Sequence, residues 1–337
     1  MDGSDKMKKG QFQGELFELL ILKLLKMSDY EVVDVSKHKD RIRQKRKNFI
    51  EIKGRGAWHQ IDAPCDYKDK IPFIYPLRLL GEVKFFSKTA SSSGFATKEH
   101  IRELIGILKD ISENYTVSSK LTKEMIENRR TEIGVFFSAN GFNEEAEKLA
   151  YAHDVRTISY ENNEMVRAYK DIIEHICNLE FASRADISTR RVNHIKKRFN
   201  DCIVSSSHLS SNGHYPYHAI KDSFIASTKT GYLFHFLGNN EFPNALFQAK
   251  DAIECKIFYD ESENGERFFY LTMNGENNNK YYFSAPKFLS EKSLFGNDML
   301  DIKSDVFAEL YFNKKINNLK RSLVLKIDTE WLKSIRR

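Results

Sequence analysis

The sequence has few cysteines and no long uninterrupted apolar segment. It contains four cysteines, and no two of them form a C-x-x-C pair, which argues against a disulfide framework and a zinc ribbon. The cysteines are Cys65, Cys177, Cys202 and Cys255. The longest apolar run, 16–25, is interrupted by Glu18 and Lys23 and is too short to span a bilayer. Since an apolar signal segment is also missing from the first residues, we expect a cytoplasmic protein without a membrane partner.

A strong charge of one sign is also missing. The 53 lysines and arginines exceed the 47 acidic residues only slightly, so the net charge of +6 is weak support for a polyanionic partner. Hydrophobic residues make up 41% of the chain, which is enough to form buried cores. At roughly 100–200 residues per domain, 337 residues predict two domains.

The first half of the chain alternates strands and helices. The patterns of apolar residues predict helices at 12–27, 98–111, 143–153 and 162–180, and strands at 30–35, 49–53, 58–62, 77–86, 132–138 and 155–159. Pro64, Pro72 and Pro76 predict an irregular insertion between two of these strands. Because strand–helix–strand units favour parallel pairing in a covered sheet, residues 1–182 are expected to form an α/β domain with a mixed central sheet flanked by helices.

The second half has a different character. Residues 183–202 are expected to form a basic helical connector, and 203–337 a β-rich α+β domain with helical segments near 304–312 and 329–335. Aromatic strands are predicted at 223–226, 232–236, 255–259, 267–273 and 280–284. Four potential zinc ligands cluster at the start of this region, but their spacing fits no known template, and a loop is the simpler interpretation. These are Cys202, His208, His214 and His218.

The candidate catalytic residues are Asp62 and, twenty residues later, Glu82 and Lys84 of the segment Glu82-Val83-Lys84. On a strand, residues i and i+2 point to the same face, so Glu82 and Lys84 are expected to project together, and Asp62 at the end of a neighbouring strand can meet them. Carboxylate oxygens suit Mg²⁺, which activates water and offsets the charge that develops in phosphodiester hydrolysis. The alternative is a chance D…E-x-K pattern on a solvated strand end.

Three blocks of this sequence, in order, resemble the PD-(D/E)xK nuclease superfamily, and the Mrr-like restriction endonucleases within it. The blocks are 14–20 followed by 30–32, the glycine turn and strand 54–62 followed by 82–84, and 133–159 with its Gly141-Phe142 turn. The resemblance covers residues 10 to about 160. It departs from the family's name-giving motif at Ile61, where proline is typical. It implies a restriction-endonuclease-like fold and a divalent-metal-dependent DNA endonuclease, by family architecture a restriction or anti-phage defence enzyme.

The resemblance also implies a role for each site residue. Asp62 and Glu82 would bind Mg²⁺, for which Mn²⁺ is expected to substitute, and Lys84 would polarise the water or the scissile phosphate. Glu18 would sit beside the ion, with Glu15 one turn earlier as the competing candidate. An ordinary acid near a helix start is the alternative for both glutamates. Gln60 shares a face with Asp62 and is expected to orient the water or the phosphate, whereas His59 points the other way.

Two basic stretches flank these residues and are candidates for contacts with DNA phosphates, although a solvated charged surface is the alternative for each. The candidate residues are Arg41, Arg43, Lys45, Arg46, Lys47, Arg55, Arg190, Arg191, Lys196 and Lys197. Tyr67, Phe73 and Tyr75 alternate with lysines and are further candidates to contact an unpaired strand or a splayed base.

Three hypotheses follow. The first is a Mg²⁺-dependent DNA endonuclease of the host-defence type, with the C-terminal domain as target reader or trigger, for which a homodimer that cuts both strands is plausible. The second is a catalytically silent nuclease fold that binds nucleic acid or a partner. The third is an effector nuclease that a partner protein or a small ligand activates through the C-terminal domain.

Overall fold

The computed structural model describes residues 6–37, 41–46, 49–87, 93–115, 129–205, 220–263, 265–274, 279–284 and 308–328. They form a mixed α/β structure with several sheets. No helix within these ranges is long and apolar enough to cross a membrane.

The helices, in chain order, are α1 (Lys9–Met27), α2 (Lys98–Ser112), α3 (Glu144–Ala152), α4 (Glu164–Glu180) and α5 (Thr189–Ser205). The strands are β1 (Lys6–Lys8), β2 (Tyr30–Val32), β3 (Ile42–Arg46), β4 (Phe49–Lys53), β5 (Trp58–Ile61), β6 (Ala63–Tyr67), β7 (Leu77–Lys84), β8 (Thr131–Ser138), β9 (Arg156–Ser159), β10 (Asp186–Ser188), β11 (Asp222–Thr228), β12 (Leu233–Gly238), β13 (Ala252–Glu261), β14 (Arg267–Met273), β15 (Tyr281–Tyr282), β16 (Glu309–Ile316) and β17 (Leu319–Ile327).

A five-stranded sheet in the order β2-β6-β7-β8-β9 forms the centre of the N-terminal half. Strands β7, β8 and β9 are parallel, which confirms the pairing expected from the strand–helix–strand pattern, while β2, β6 and β7 are antiparallel. The two faces of β8 enter different cores, since Phe137 packs with α1 and α4 and Phe136 packs with α2 and α3. Helices therefore cover both faces of the sheet, as expected. A smaller antiparallel sheet, β3-β4-β5, precedes β6.

The prediction of an irregular insertion at 64–76 is wrong for residues 64–67. Residues Ala63–Tyr67 form β6, which pairs with both β2 and β7 and so lies inside the sheet. Pro64 lies near the start of the strand, where only β7 is paired, because the ladder to β2 includes residues 65–67 alone, and Cys65 and Tyr67 suit a buried strand.

The C-terminal half closes into a barrel in the order β11-β12-β15-β14-β13-β17-β16. The prediction of a helix near 304–312 is wrong for Glu309–Phe312, which belong to strand β16. Leu310, Phe312 and Ile316 of that strand are buried, and β16 pairs with β17 through a two-residue turn, Asn317-Asn318, with both residues at positive φ. Asparagine tolerates this conformation, so the Asn-Asn pair is the hairpin signal that the helix interpretation missed. Residues 304–307 and 329–335 and the histidines of the potential zinc cluster lie outside the described residues, as does the side chain of Cys202.

The barrel and the N-terminal half share one hydrophobic core, in which Leu237 and Phe268 of the barrel pack with residues of α1. A buried polar chain crosses the same junction. His235, which is 2% exposed, hydrogen-bonds through Nδ1 to the Tyr160 hydroxyl and through Nε2 to the Ser223 hydroxyl, at 2.7 Å each. The Ser223 hydroxyl also lies 2.8 Å from that of Ser28, just after α1. Burial lowers the pKa of His235 to about 3, so its imidazole is neutral.

We predict that this neutral imidazole makes the protein less stable in acid. The folded chain leaves His235 unprotonated down to about pH 3, whereas an unfolded histidine binds a proton near pH 6.5. Below pH 6.5 the unfolded state therefore binds more protons and is favoured as the pH falls. His235 alone should reduce the free energy of unfolding by up to about 1.4 kcal/mol per pH unit. Urea denaturation at pH 7, 6 and 5 measures this slope.

Other groups titrate in the same range, so the informative quantity is the difference between variants. His235→Gln keeps a donor and an acceptor but takes up no proton, and it should lose this part of the slope. His153→Gln is the matched control, because His153 is exposed at the end of α3. The same pH dependence in wild type and His235→Gln would contradict the assignment.

Candidate active site

Asp62 lies where the chain leaves β5 of the three-stranded sheet and enters β6 of the five-stranded sheet. Ala63 is opposite Gly81 in the antiparallel pairing of β6 with β7. Asp62, one residue before Ala63, therefore lies beside Glu82, one residue after Gly81. The two backbones approach closely there. A Cβ at Gly81 would lie 2.8 Å from the Cβ of Ala63 and 2.9 Å from its carbonyl oxygen, which excludes any larger residue. The Val83 amide donates to Asp62 Oδ2 at 3.0 Å and fixes the carboxylate.

Lys84 links the two carboxylates. Its Nζ lies 3.6 Å from Asp62 Oδ2 and forms an ion pair with Glu82. The prediction that Glu82 and Lys84 share one face of their strand is therefore confirmed. The side chains of Asp62, Glu82 and Lys84 are 8%, 16% and 32% exposed, so the lysine is the most accessible of the three.

Helix α1 brings two glutamates to the same place. Glu15 is buried and its Oε2 lies 2.5 Å from Nζ of Lys196 on α5, so its charge is already paired. Glu18 is partly buried, lines the same cavity as Asp62, and forms no ion pair within the part of the chain that the structure describes. Of the two candidates, Glu18 is thus the one whose carboxylate is left for another charge.

The pKa values of Glu18 and Glu82 reflect their burial and the carboxylates near them. Burial, and then the charges of Asp62 and Glu15, raise the pKa of Glu18 to about 8. Burial and the charge of Asp62 raise the pKa of Glu82 to about 7. Burial alone would lower the pKa of Lys84, but Asp62 and Glu82 outweigh it and raise that pKa. Ionising all three carboxylates is therefore unfavourable in this poorly hydrated place, although the ammonium groups of Lys84 and Lys196 offset part of the cost for Glu18.

This charge distribution fits a hard divalent cation. Carboxylate oxygens are the ligands that Mg²⁺ prefers, and it needs only one or two of them because it keeps several waters. Within the described ranges no three side chains of Asp, Glu, His or Cys form a ready-made metal-binding group. In this arrangement the Lys84 ammonium contacts both Asp62 and Glu82 and provides the counter-charge.

The site opens into a cavity of about 1120 Å³. Glu18, Asp62 and Lys84 line it, together with Gln60, whose side chain is exposed. Three residues of α5 also line the cavity, namely Thr189, Val192 and Asn193. The sequence contained no signal that α5 would border the site, because only tertiary packing brings it there.

Asp110, at the end of α2, is a residue that no sequence pattern indicated. Its carboxylate accepts from the amides of Gly56 and Ala57, at 2.9 and 3.3 Å from its nearest oxygens, and lies 2.7 Å from Nε2 of His59. The hydrogen bond to His59 and those to the two amides lower its pKa. Asp110 therefore holds the turn that leads into β5, and His59 points away from the cavity as expected.

The basic candidates are spread over several surfaces. Arg43 and Lys45 pair with Glu51, Arg55 with Glu113, Arg191 with Glu180 and Lys196 with Glu15, while Arg41 stacks on Tyr115 at 3.7 Å. Arg190 and Lys197 are exposed on α5, next to the cavity-lining residues of that helix. Lys47 and the side chain of Arg46 lie outside the described residues.

No protein-family model matches this chain, and no curated protein matches it. Among solved structures, one described as a protein of unknown function, AF1548, is similar in part, with 10% sequence identity and a TM-score of 0.28. The match covers 57% of this chain and 99% of the other. A TM-score this low supports no conclusion about fold or function.

We predict that the crowded carboxylates cost stability when no divalent cation is present. Because the pKa of Glu18 is raised, the folded state is penalised once the carboxyl ionises in the unfolded chain above about pH 4.5, and the penalty grows towards pH 8. Glu18→Gln removes the charge and should raise the melting temperature in EDTA at pH 8 by about 2 °C. Thermal unfolding at pH 8 and pH 5 measures the effect, which should be smaller at pH 5.

Glu174→Gln is the matched control, since Glu174 is an exposed glutamate within α4. It should change the melting temperature little at either pH. A lower melting temperature of Glu18→Gln at pH 8 would mean that the ionised carboxylate stabilises the fold, which contradicts the crowding inferred from its raised pKa.

Proposed function

We propose that the protein is a divalent-metal-dependent DNA endonuclease whose N-terminal half has a restriction-endonuclease-like fold. The observation that supports it best is the meeting of Asp62, Glu82 and Lys84, from two adjacent strands, beside a large cavity. The D…E-x-K pattern thus combines acidic and basic groups at one place. A mixed sheet with helices on both faces is the expected setting for such a site.

In this proposal Asp62 and Glu82 hold Mg²⁺, and Mn²⁺ substitutes for it. Glu18 adds negative charge beside them from α1. The bound ion supplies Lewis-acid stabilisation of charge on the phosphate and acidifies water. The raised pKa values of Glu18 and Glu82 support the proposal, because a bound cation would favour the ionised carboxylates that burial and the charge of Asp62 disfavour.

The protein's own groups orient the reactants. The Val83 amide keeps one oxygen of Asp62 fixed. Lys84, partly exposed to the cavity, donates hydrogen bonds to a phosphate oxygen or to the attacking water, and its charge offsets the charge that develops on phosphorus. Gln60, on the cavity wall, provides an amide for the same water or phosphate.

Removal of the lysine should abolish cleavage. We expect purified protein with Mg²⁺ to nick or linearise supercoiled plasmid, and we expect no cleavage in EDTA. Lys84→Ala and Asp62→Asn should each lower the rate at least about 100-fold, because each removes a charge that acts on the reacting phosphate. Lys148→Ala is the control, as Lys148 is an exposed lysine on α3. Agarose gels over a time course measure the rates.

The possible results separate the three hypotheses. Cleavage by Lys84→Ala at the wild-type rate would contradict the proposed site. A third result is that wild type and variant both bind DNA, that neither cleaves it, and that no activator tested starts cleavage. This result would favour a catalytically silent binding module. Cleavage that begins only when a partner or ligand is added would favour an effector nuclease.

Metal binding has a readout that does not depend on cleavage. A ligand that binds only the folded state stabilises it, by about 1.4 kcal/mol at a concentration tenfold above its Kd. We therefore expect Mg²⁺ to raise the melting temperature of the wild type, and Asp62→Asn and Glu82→Gln to lose most of this rise. Glu174→Gln should keep it. An equal rise in all four proteins would place the ion elsewhere.

A further inference from the structure

Four aromatic rings line the cavity beside the candidate site, and we call them its aromatic wall. They belong to Phe49 of β4, Phe86 just after β7, Phe95 just before α2, and His100 of α2. All four rings are partly exposed. Partly exposed phenylalanines are ordinary when scattered over a surface, but here three of them border the cavity that also contains Lys84.

Two rings of this wall are held by contacts. Those of Phe86 and His100 pack against each other, with centroids 4.8 Å apart and planes tilted by 42°. The backbone amide and the hydroxyl of Thr97 each lie 3.1 Å from Nδ1 of His100, which fixes the imidazole. Burial and the nearby charge of Lys84 lower the pKa of His100, so this ring is neutral at pH 7. The wall therefore presents flat, uncharged rings next to a cationic lysine.

The rest of the cavity lining is polar or charged. Gln11 and Gln13 of α1 line it together with Thr189 and Asn193 of α5, as do Lys6, whose ammonium pairs with Asp186 at 3.4 Å, and the carboxylates of Glu15, Glu18 and Asp62. Gln13 is positioned by the Ser87 hydroxyl, which donates to its side-chain oxygen at 3.0 Å. Aromatic faces, amide groups and ammonium groups correspond to the three parts of a nucleotide: a flat base, its polar edges and its phosphate.

We infer that DNA enters this cavity as an unpaired strand, with bases stacked on the aromatic wall and a phosphate at Lys84. The inference rests on the proposed nuclease function and specifies its substrate. In a duplex each base is stacked between its neighbours and presents only its edges in the grooves, so flat rings cannot reach its faces. Aromatic platforms beside cationic groups are how proteins bind single strands. A volume of about 1120 Å³ exceeds that needed by one drug-sized molecule, so the cavity has room for a nucleotide and part of its neighbour.

The first test is binding with Ca²⁺ in place of Mg²⁺, so that a divalent cation offsets the carboxylates beside Lys84, and gels of the same samples verify that the DNA stays intact. Fluorescence anisotropy of the full chain with a labelled single strand of twelve thymidines, and with a duplex of the same length, compares the two forms. The single strand is expected to bind at least about tenfold more tightly. Phe86→Leu should weaken single-strand binding by about tenfold, as expected for the loss of one stacking ring.

Two further variants separate stacking from folding. Phe86→Tyr keeps the ring and should bind like the wild type, with an unchanged melting temperature. Phe73→Leu removes a fully exposed phenylalanine that does not line the cavity, and it should leave binding unchanged. Loss of binding in Phe73→Leu but not in Phe86→Leu would overturn the inference and point to the 64–76 segment.

The second test is cleavage with Mg²⁺ of circular single-stranded DNA, of supercoiled plasmid and of the same plasmid relaxed. Faster cleavage of the single-stranded circle, slowed by Phe86→Leu, supports the inference and the nuclease function together. Equal cleavage of relaxed duplex and single strand, unaffected by Phe86→Leu, overturns the inference and leaves the nuclease function standing. Stacking-dependent binding of the single strand without any cleavage would support the binding site and contradict the nuclease function.

Discussion

The close pairing of β6 with β7 is the constraint on which the candidate site depends. Gly81 lets the backbone of Ala63 approach to a distance that no side chain would allow, and Asp62 is thereby carried to the position beside Glu82. The same ladder turns the Val83 amide towards Asp62. The geometry of the acidic groups is thus set by backbone hydrogen bonds within a sheet, which is more rigid than a loop.

Helix α1 is the second constraint. It has buried apolar residues on most of its circumference, and this packing fixes its rotation, so Glu18 is directed to the cavity and Glu15 to Lys196. Its C-terminal end is held by the barrel, because the Ser223 hydroxyl contacts both the Leu24 carbonyl and the Ser28 hydroxyl. One helix of about 28 Å therefore contacts the acidic groups near its start and the barrel at its end. The position of Glu18 depends on both halves of the chain.

The sequence predicted the parts of this arrangement that follow from local periodicity. Alternation along a strand placed Glu82 and Lys84 on one face, and the strand–helix–strand order predicted the parallel pairing of β7, β8 and β9. The sequence did not predict β6, because three prolines obscured a strand that tertiary pairing stabilises. It also did not predict β16, because its apolar residues fit the repeat of a helix as well as that of a strand, and we assigned a helix. Asp110, the aromatic wall and the polar chain around His235 are formed by residues far apart in sequence, and no local pattern encodes such contacts.

The charges at the site and the packing around it act in opposite directions on stability. Ionised carboxylates at Glu18, Glu82 and Asp62 repel one another, and burial together with the charge of Asp62 raises the pKa values of Glu18 and Glu82, so the fold holds these acids in an unfavourable setting. Two features counteract it: the Lys84 ammonium between the strands, and the apolar core that joins α1 to the sheet and the barrel. Lys84 therefore stabilises the acidic cluster in the absence of a cation. In the proposed function, a cation held by Asp62 and Glu82 would weaken the attraction of these carboxylates for the Lys84 ammonium, which would leave the lysine free to contact a phosphate in the cavity.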